Sequence, residues 1–108
     1  MANIKEFIPY LNGYNYTGQV PVIIDFYAVW CGPCNALAPR LERLAKEYEG
    51  RLKVLKVDVD SNRAMAEAAR VMSIPTLFFV DINGEIERFV GAIPYPELQE
   101  RAKKLIGE

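Results

Sequence analysis

The sequence predicts an α/β fold, a central mixed β-sheet sandwiched by helices on both faces. Three observations carry this. Residues 20–30, Val-Pro-Val-Ile-Ile-Asp-Phe-Tyr-Ala-Val-Trp, form a β-branched and aromatic run interrupted by Pro21 and Asp25, as in a strand buried on both faces. Leu37, Leu41, Leu44 and Tyr48 then recur at helical spacing, with Arg40, Glu42, Arg43, Lys46 and Glu47 on the other side. Further on, Asn83-Gly84 stands between two short apolar runs and marks a hairpin, so an antiparallel pair joins the sheet.

Each element follows in order. Ile4, Phe7, Ile8 and Leu11 fit one face of an N-terminal helix, and Asn12 to Gln19, rich in Asn, Gly and Tyr, reads as loop. The helix after the first strand starts near Pro33, where a missing N–H costs little. Pro39 falls inside that helix and is expected to kink it. Leu52 to Asp60, with Val54, Leu55, Val57 and Val59, reads as a second buried strand. Asp60, Ser61 and Asn62 are cap-type residues before a second helix, whose apolar side is Met65, Ala68, Ala69 and Met72. Ser73-Ile74-Pro75-Thr76 leads into a strand at Leu77–Val80, and Ile86 to Val90 returns after the turn. Pro96 suits the first turn of a last helix, although Tyr95 before it is a poor cap; Leu98, Ala102, Leu105 and Ile106 form its buried stripe. From residue 20 onward the order is β-α-β-α-β-β-α.

The 108 residues suit one domain, 1–108, with 1–19 as its unusual part, and 51% apolar residues supply a core. Thirteen Lys and Arg stand against fourteen Asp and Glu, a net charge of -1 with no basic block, which argues against nucleic-acid binding through phosphates. Asp25 breaks the longest apolar run, so no segment reaches membrane-spanning length. The N-terminus lacks the apolar stretch of a signal peptide, and a cytoplasmic protein is expected. There is no histidine, so Ser–His and Cys–His nucleophile chemistry is excluded.

Two cysteines remain, in Trp30-Cys31-Gly32-Pro33-Cys34. A disulfide stabilises most when it closes a long loop, and this loop is very short, so a structural staple is a poor reading. A closed zinc site needs four ligands, whereas the chain offers two thiols, so no metal and no other cofactor is expected. A reversible dithiol/disulfide couple is left. The strand-to-helix setting strengthens it. Cys31 falls at a helix N-terminus, where unpaired backbone N–H groups and the positive end of the dipole favour a thiolate. Cys31 is then the attacking thiolate and Cys34 the resolving thiol.

Asp25 lies in the most hydrophobic strand, and burying an unpaired carboxylate costs several kcal/mol. Such a residue suits proton transfer: Cys34 must lose its proton before it attacks a mixed disulfide. Lys56, in the neighbouring strand, is placed to pair with Asp25 and to oppose the rise in pKa that burial causes; the plainer reading is a surface lysine. X–Pro bonds are mostly trans, so local sequence alone predicts a trans bond at Ile74–Pro75.

The chain resembles the thioredoxin family. The resemblance rests on Asp25-Phe26-Tyr27-Ala28, Trp30-Cys31-Gly32-Pro33-Cys34, Ala38-Pro39, Lys56 with Asp58 and Asp60, Ile74-Pro75-Thr76, Asn83-Gly84 and Gly91-Ala92, spread over residues 20 to 106. It implies the thioredoxin fold, a cis Ile74–Pro75 bond, and a protein-disulfide reductase recharged by a thioredoxin reductase. Oxidising and isomerising relatives usually carry a His between the cysteines, and this chain has none. Trp30, Gly32, Pro33, Ile74, Pro75, Gly91 and Ala92 would form the substrate-binding surface, with Trp30 as core the competing reading. The implied partners are disulfide-containing proteins and the reductase, with no nucleic acid and no membrane, and the chain is expected to act as a monomer. Two alternatives stay open: a dedicated redox partner of one enzyme, and a non-catalytic binding module. Three departures stand out: a helix and loop in place of the family's opening strand, Asn35 where a Lys is common, and a longer hairpin at Asp81–Gly84.

Overall fold

The computed structural model describes residues 3–10 and 16–108, the side chain of Ile8 excepted. A 3₁₀ helix, Ile4–Tyr10, comes first. Then follow β1 (Val22–Tyr27), α1 (Gly32–Glu47), β2 (Lys53–Asp58), α2 (Arg63–Ala68), β3 (Thr76–Val80), β4 (Ile86–Val90) and α3 (Tyr95–Ile106). The order from β1 onward is the predicted one. The four strands form one mixed sheet in the order β2-β1-β3-β4. β1 pairs parallel with β2 and antiparallel with β3, and β3 pairs antiparallel with β4.

Position in the sheet explains composition. The central strands β1 and β3 are buried almost throughout, which their unbroken apolar runs require. The edge strands β2 and β4 are only partly buried, exposing Lys53 and Lys56 on one and Glu87 and Arg88 on the other. Each face of the sheet is covered. Ile23, Leu77 and Phe79 meet Leu37, Leu41 and Leu44 of α1 and Leu98 and Ala102 of α3. Ile24, Phe26 and Phe78 meet Met65 of α2 and Ile4 and Phe7 of the 3₁₀ helix.

Several elements differ from expectation in detail. The first helix is 3₁₀ in type and carries Pro9; Leu11, residues 12–15 and the Ile8 side chain lie outside the described residues. Among the described residues, what stands in place of an opening strand is a single antiparallel bridge between Asn3 and Glu85. α1 runs through Pro39 from Gly32, so the proline does not mark its start. α2 ends at Ala68, and Met72 lies beyond it, 92% exposed, instead of on a buried stripe. Asn62 stands at the N-cap of α2 without a side-chain capping bond; its amide donates to the Asp58 carbonyl at 2.9 Å. α3 begins one residue before Pro96, with Pro94 at its N-cap.

Asn83 and Gly84 complete a four-residue turn, 81–84, within the five-residue connection between β3 and β4. Gly84 N–H donates to the Asp81 carbonyl at 2.9 Å, and the Asp81 carboxylate accepts from the N–H groups of Asn83 and Glu85 at 2.8 and 2.9 Å. The loop receives the N-terminal segment. Asn3 Nδ2 donates to the Asn83 carbonyl at 3.1 Å, Ile4 N–H to the Gly84 carbonyl at 2.8 Å, and the Tyr16 hydroxyl to the Asp81 carbonyl at 2.5 Å.

Candidate active site

The site forms where β1 hands the chain to α1. Cys31 is the N-cap of α1, with extended backbone at φ -89 and ψ 111. Its Sγ accepts from the backbone N–H of Cys34 at 3.2 Å, so one of the orphan donors of the helix start is aimed at sulfur. On another side, Cys31 Sγ stands 3.9 Å from the Ile74 carbonyl oxygen. The two cysteines are joined as a disulfide. Both are buried against Ala28, with Tyr27, Val59 and Ile74 around them. Gly32 and Pro33 are exposed between them.

Asp25 is 1% exposed, and neither carboxylate oxygen has a hydrogen-bond partner. Residues of a strand alternate in direction, so Ile23, Asp25 and Tyr27 share the face of β1 that α1 covers. Ile23 packs under Leu37 and Leu41, and Tyr27 packs against the cysteines. Asp25 lies between them, beneath the redox pair. Burial pushes its pKa from 3.8 up to about 6, and the positive charge of Lys56 pulls the other way. Lys56 faces Asp25 in register across the β1–β2 pair. No ion pair joins them among the described residues; the ammonium rests over the Tyr27 ring, 4.4 Å from its centroid. The expected direct pairing is therefore a through-space effect.

The residues around the disulfide come from three loops. Trp30 is 69% exposed, which rejects the core reading, and its Nε1 donates to Asp60 Oδ2 at 2.8 Å. The Ile74–Pro75 bond is cis, against the local expectation and with the one from family resemblance. Gly91, at φ +117, donates its N–H to the Pro75 carbonyl at 2.9 Å, which brings Gly91 and Ala92 beside Ile74. Trp30, Met72 and Ile74 line a shallow groove of 200 Å³ next to Cys31.

Sequence reasoning missed two contributors. Tyr27 carries both the cysteine contact and the Lys56 ammonium; the period-2 alternation from Asp25 was a signal for it. Asp60 stands in the sequence as a helix cap and, with Lys56 and Asp58, as part of the family resemblance, and nothing local connects it to Trp30.

Comparison with known proteins agrees with this geometry. The thioredoxin family model matches residues 9–104. Thioredoxin 1 of Chlorobaculum tepidum is 44% identical over 92 residues, covering 84% of this chain and 90% of that one. The chain belongs to the thioredoxin family. Thioredoxin 1 of Nostoc sp. is 41% identical over 86 residues, 80% of either chain. The solved structure of chloroplastic thioredoxin z superposes with a TM-score of 0.78 at 29% identity, covering 99% of this chain and 93% of that one. As a thioredoxin with its Cys-x-x-Cys pair in place, the protein is a thiol–disulfide oxidoreductase, and the binding-module alternative is not favoured.

Proposed function

We propose that the protein reduces disulfides of other proteins, with Cys31 as the nucleophile, Cys34 as the resolving thiol and Asp25 as the proton acceptor. In the reduced protein the Cys31 thiolate attacks a substrate disulfide. A mixed disulfide forms and one substrate thiolate leaves. Cys34 then gives its proton to Asp25 and attacks Cys31 Sγ. The Cys31–Cys34 disulfide forms and the second substrate thiolate leaves. Two electrons have passed from the dithiol to the substrate, and a thioredoxin reductase returns them. A carboxyl group shifted to about 6 is ionised at neutral pH yet close enough in basicity to accept a proton.

The observation that carries this reading is the position of Cys31 Sγ between the helix-start N–H of Cys34 and the Ile74 carbonyl. The first favours a thiolate. The second sets a backbone edge beside it, where an extended substrate can pair with Ile74 while its neighbours settle on Trp30, Gly32, Pro33, Pro75, Gly91 and Ala92. Lys56 tunes Asp25 through space. The whole chain acts as one monomeric domain and serves as a general donor. Its setting is the cytoplasm, where a reductase keeps a dithiol charged; several relatives are chloroplastic, so fractionation of the source cells checks this. The decisive test is insulin reduction with dithiothreitol as electron source, beside a Cys34→Ser variant. Wild type turns over repeatedly, and the reduced variant, mixed with insulin after the dithiothreitol is removed, accumulates as a mixed disulfide through Cys31. A wild-type protein that leaves insulin intact sinks the proposal.

A further inference from the structure

We propose that Arg40 is a positioning residue that holds the Gly91–Ile93 segment in its substrate-receiving shape, and so governs docking of protein substrates without entering the chemistry. The inference rests on the docking role just given to Ala92. Arg40 sits on α1, the helix that starts at the redox pair, directly after Pro39. It is half-buried, and its Nη1 donates to two consecutive carbonyls across a gap of more than fifty residues, Ala92 at 3.4 Å and Ile93 at 2.9 Å.

The Ile93 side chain anchors the segment between β4 and α3 in the core, and few backbone hydrogen bonds hold the rest of it. Gly91 N–H is spent on Pro75, and Ile93 N–H on the Gly91 carbonyl at 3.1 Å. The Gly91–Ala92 peptide is planar and trans, so the N–H of Ala92 points away from the Gly91 carbonyl, out of the loop. That N–H has no partner among the described residues. It is the one backbone donor of the segment left for a ligand, and an extended substrate lying along Ile74 supplies carbonyl oxygens to meet it. Its direction depends on the next two carbonyls, which are the two that Arg40 holds. A charged guanidinium is a stronger donor than a neutral group, and its fork keeps a fixed geometry. Arg40 thereby ties the rim of the docking surface to the helix that carries the nucleophile.

The test compares a large and a small disulfide in wild type, Arg40→Met and Arg40→Lys, with thermal melts run alongside to establish that all three are folded. Insulin needs the docking surface. A small aromatic disulfide such as dithionitrobenzoate reaches Cys31 without it. In Arg40→Met, KM for insulin should rise about tenfold, equal to about 1.4 kcal/mol of docking free energy, while kcat and the rate with the small disulfide stay within about twofold. Arg40→Lys keeps donors in reach of the carbonyls and should return KM to within about threefold of wild type. An unchanged KM in Arg40→Met overturns the proposal. So does an equal loss with both disulfides, which would place the effect on the dithiol itself, or a Lys variant as impaired as the Met variant. A wild-type protein inactive on both disulfides would instead overturn the reductase reading.

Discussion

Asp25 and Lys56 are direct neighbours across a parallel strand pair, yet the ammonium rests on Tyr27 and the carboxylate has no hydrogen bond. A charge buried without a partner makes the fold sensitive to pH. In the unfolded chain Asp25 titrates near its ordinary value of 3.8, and in the fold near about 6. The fold therefore prefers the protonated form. The contribution of Asp25 to stability is fully present below pH 4, is lost as pH rises from about 4 through about 6, and is level above that. The difference between those two pKa values corresponds to roughly 3 kcal/mol. Asp25→Asn should lack this slope. Urea unfolding of the oxidised proteins at pH 4 and pH 8 measures it; equal pH dependence in variant and wild type would remove Asp25 as the titrating group.

Lys56→Met should move the Asp25 titration to still higher pH, because the one charge that opposes burial is gone. The loss of stability on raising the pH then grows and extends to higher pH. Carboxyl infrared difference spectra follow the titration directly. A midpoint that stays in place, or falls, would mean that the lysine charge does not reach Asp25.

Cys31 and Cys34 are almost equally enclosed, 5% and 3% exposed, so access alone does not rank them. Electrostatics does. Cys31 is the helix N-cap with an N–H aimed at its sulfur, whereas Cys34 lies inside the first turn facing the sheet. In the reduced protein, iodoacetamide at pH 7 should label Cys31 faster by on the order of tenfold. Peptide mapping after a short pulse reads the ratio, and preferential labelling of Cys34 would exchange the two roles.

Trp30 is the chain's single tryptophan and is held on the surface by Asp60. Removing the acceptor in Asp60→Ala should leave stability within about 1 kcal/mol, since the bond is exposed. The indole should then move more freely, with a shorter fluorescence anisotropy decay and a KM for insulin raised a few-fold. Unchanged anisotropy would show that the hydrogen bond does not order the ring.

The fold was legible in the sequence wherever the signal is local. The run around Ile23–Tyr27 and the stripe Leu37, Leu41, Leu44 each occupy one element, and the redox pair sits at the junction between two. What escaped depends on contacts between distant residues. Trp30 and Asp60 are thirty positions apart, and no periodicity joins them. The end of α2 escaped for a different reason. Helices often stop at a glycine in the left-handed region, and here Arg70 takes that conformation at φ 54, with the Arg88 guanidinium donating to the Ala69 and Arg70 carbonyls. With no glycine to signal the stop, Met72 looked like one more turn of helix. Lys56 shows the limit of register: strand pairing puts two charges side by side, but an aromatic ring nearby decides where the ammonium lies.

The hairpin that receives the N-terminal segment carries the last prediction. Gly84 has φ +83, and a Cβ there would stand 2.5 Å from Oδ1 of Asn3. Gly84→Ala therefore meets two penalties. The left-handed conformation costs a residue with a Cβ roughly 1–2 kcal/mol. The methyl group must also push the Asn3 side chain from its bond to the Asn83 carbonyl, worth about 1 kcal/mol. Asn3→Ala escapes the first penalty but loses that bond and the one its Oδ1 accepts from Lys5 N–H, and truncation leaves room for the new methyl. In a double-mutant cycle the two changes together should cost about 1 kcal/mol less than their sum. Insulin reduction should stay near wild type in all three variants, because the hairpin joins the opposite ends of β3 and β4 from Pro75 and Gly91. Strict additivity would break the link between the Gly84 backbone and the Asn3 side chain. A loss of reductase activity in the folded variants would mean that the N-terminal segment reaches the redox site.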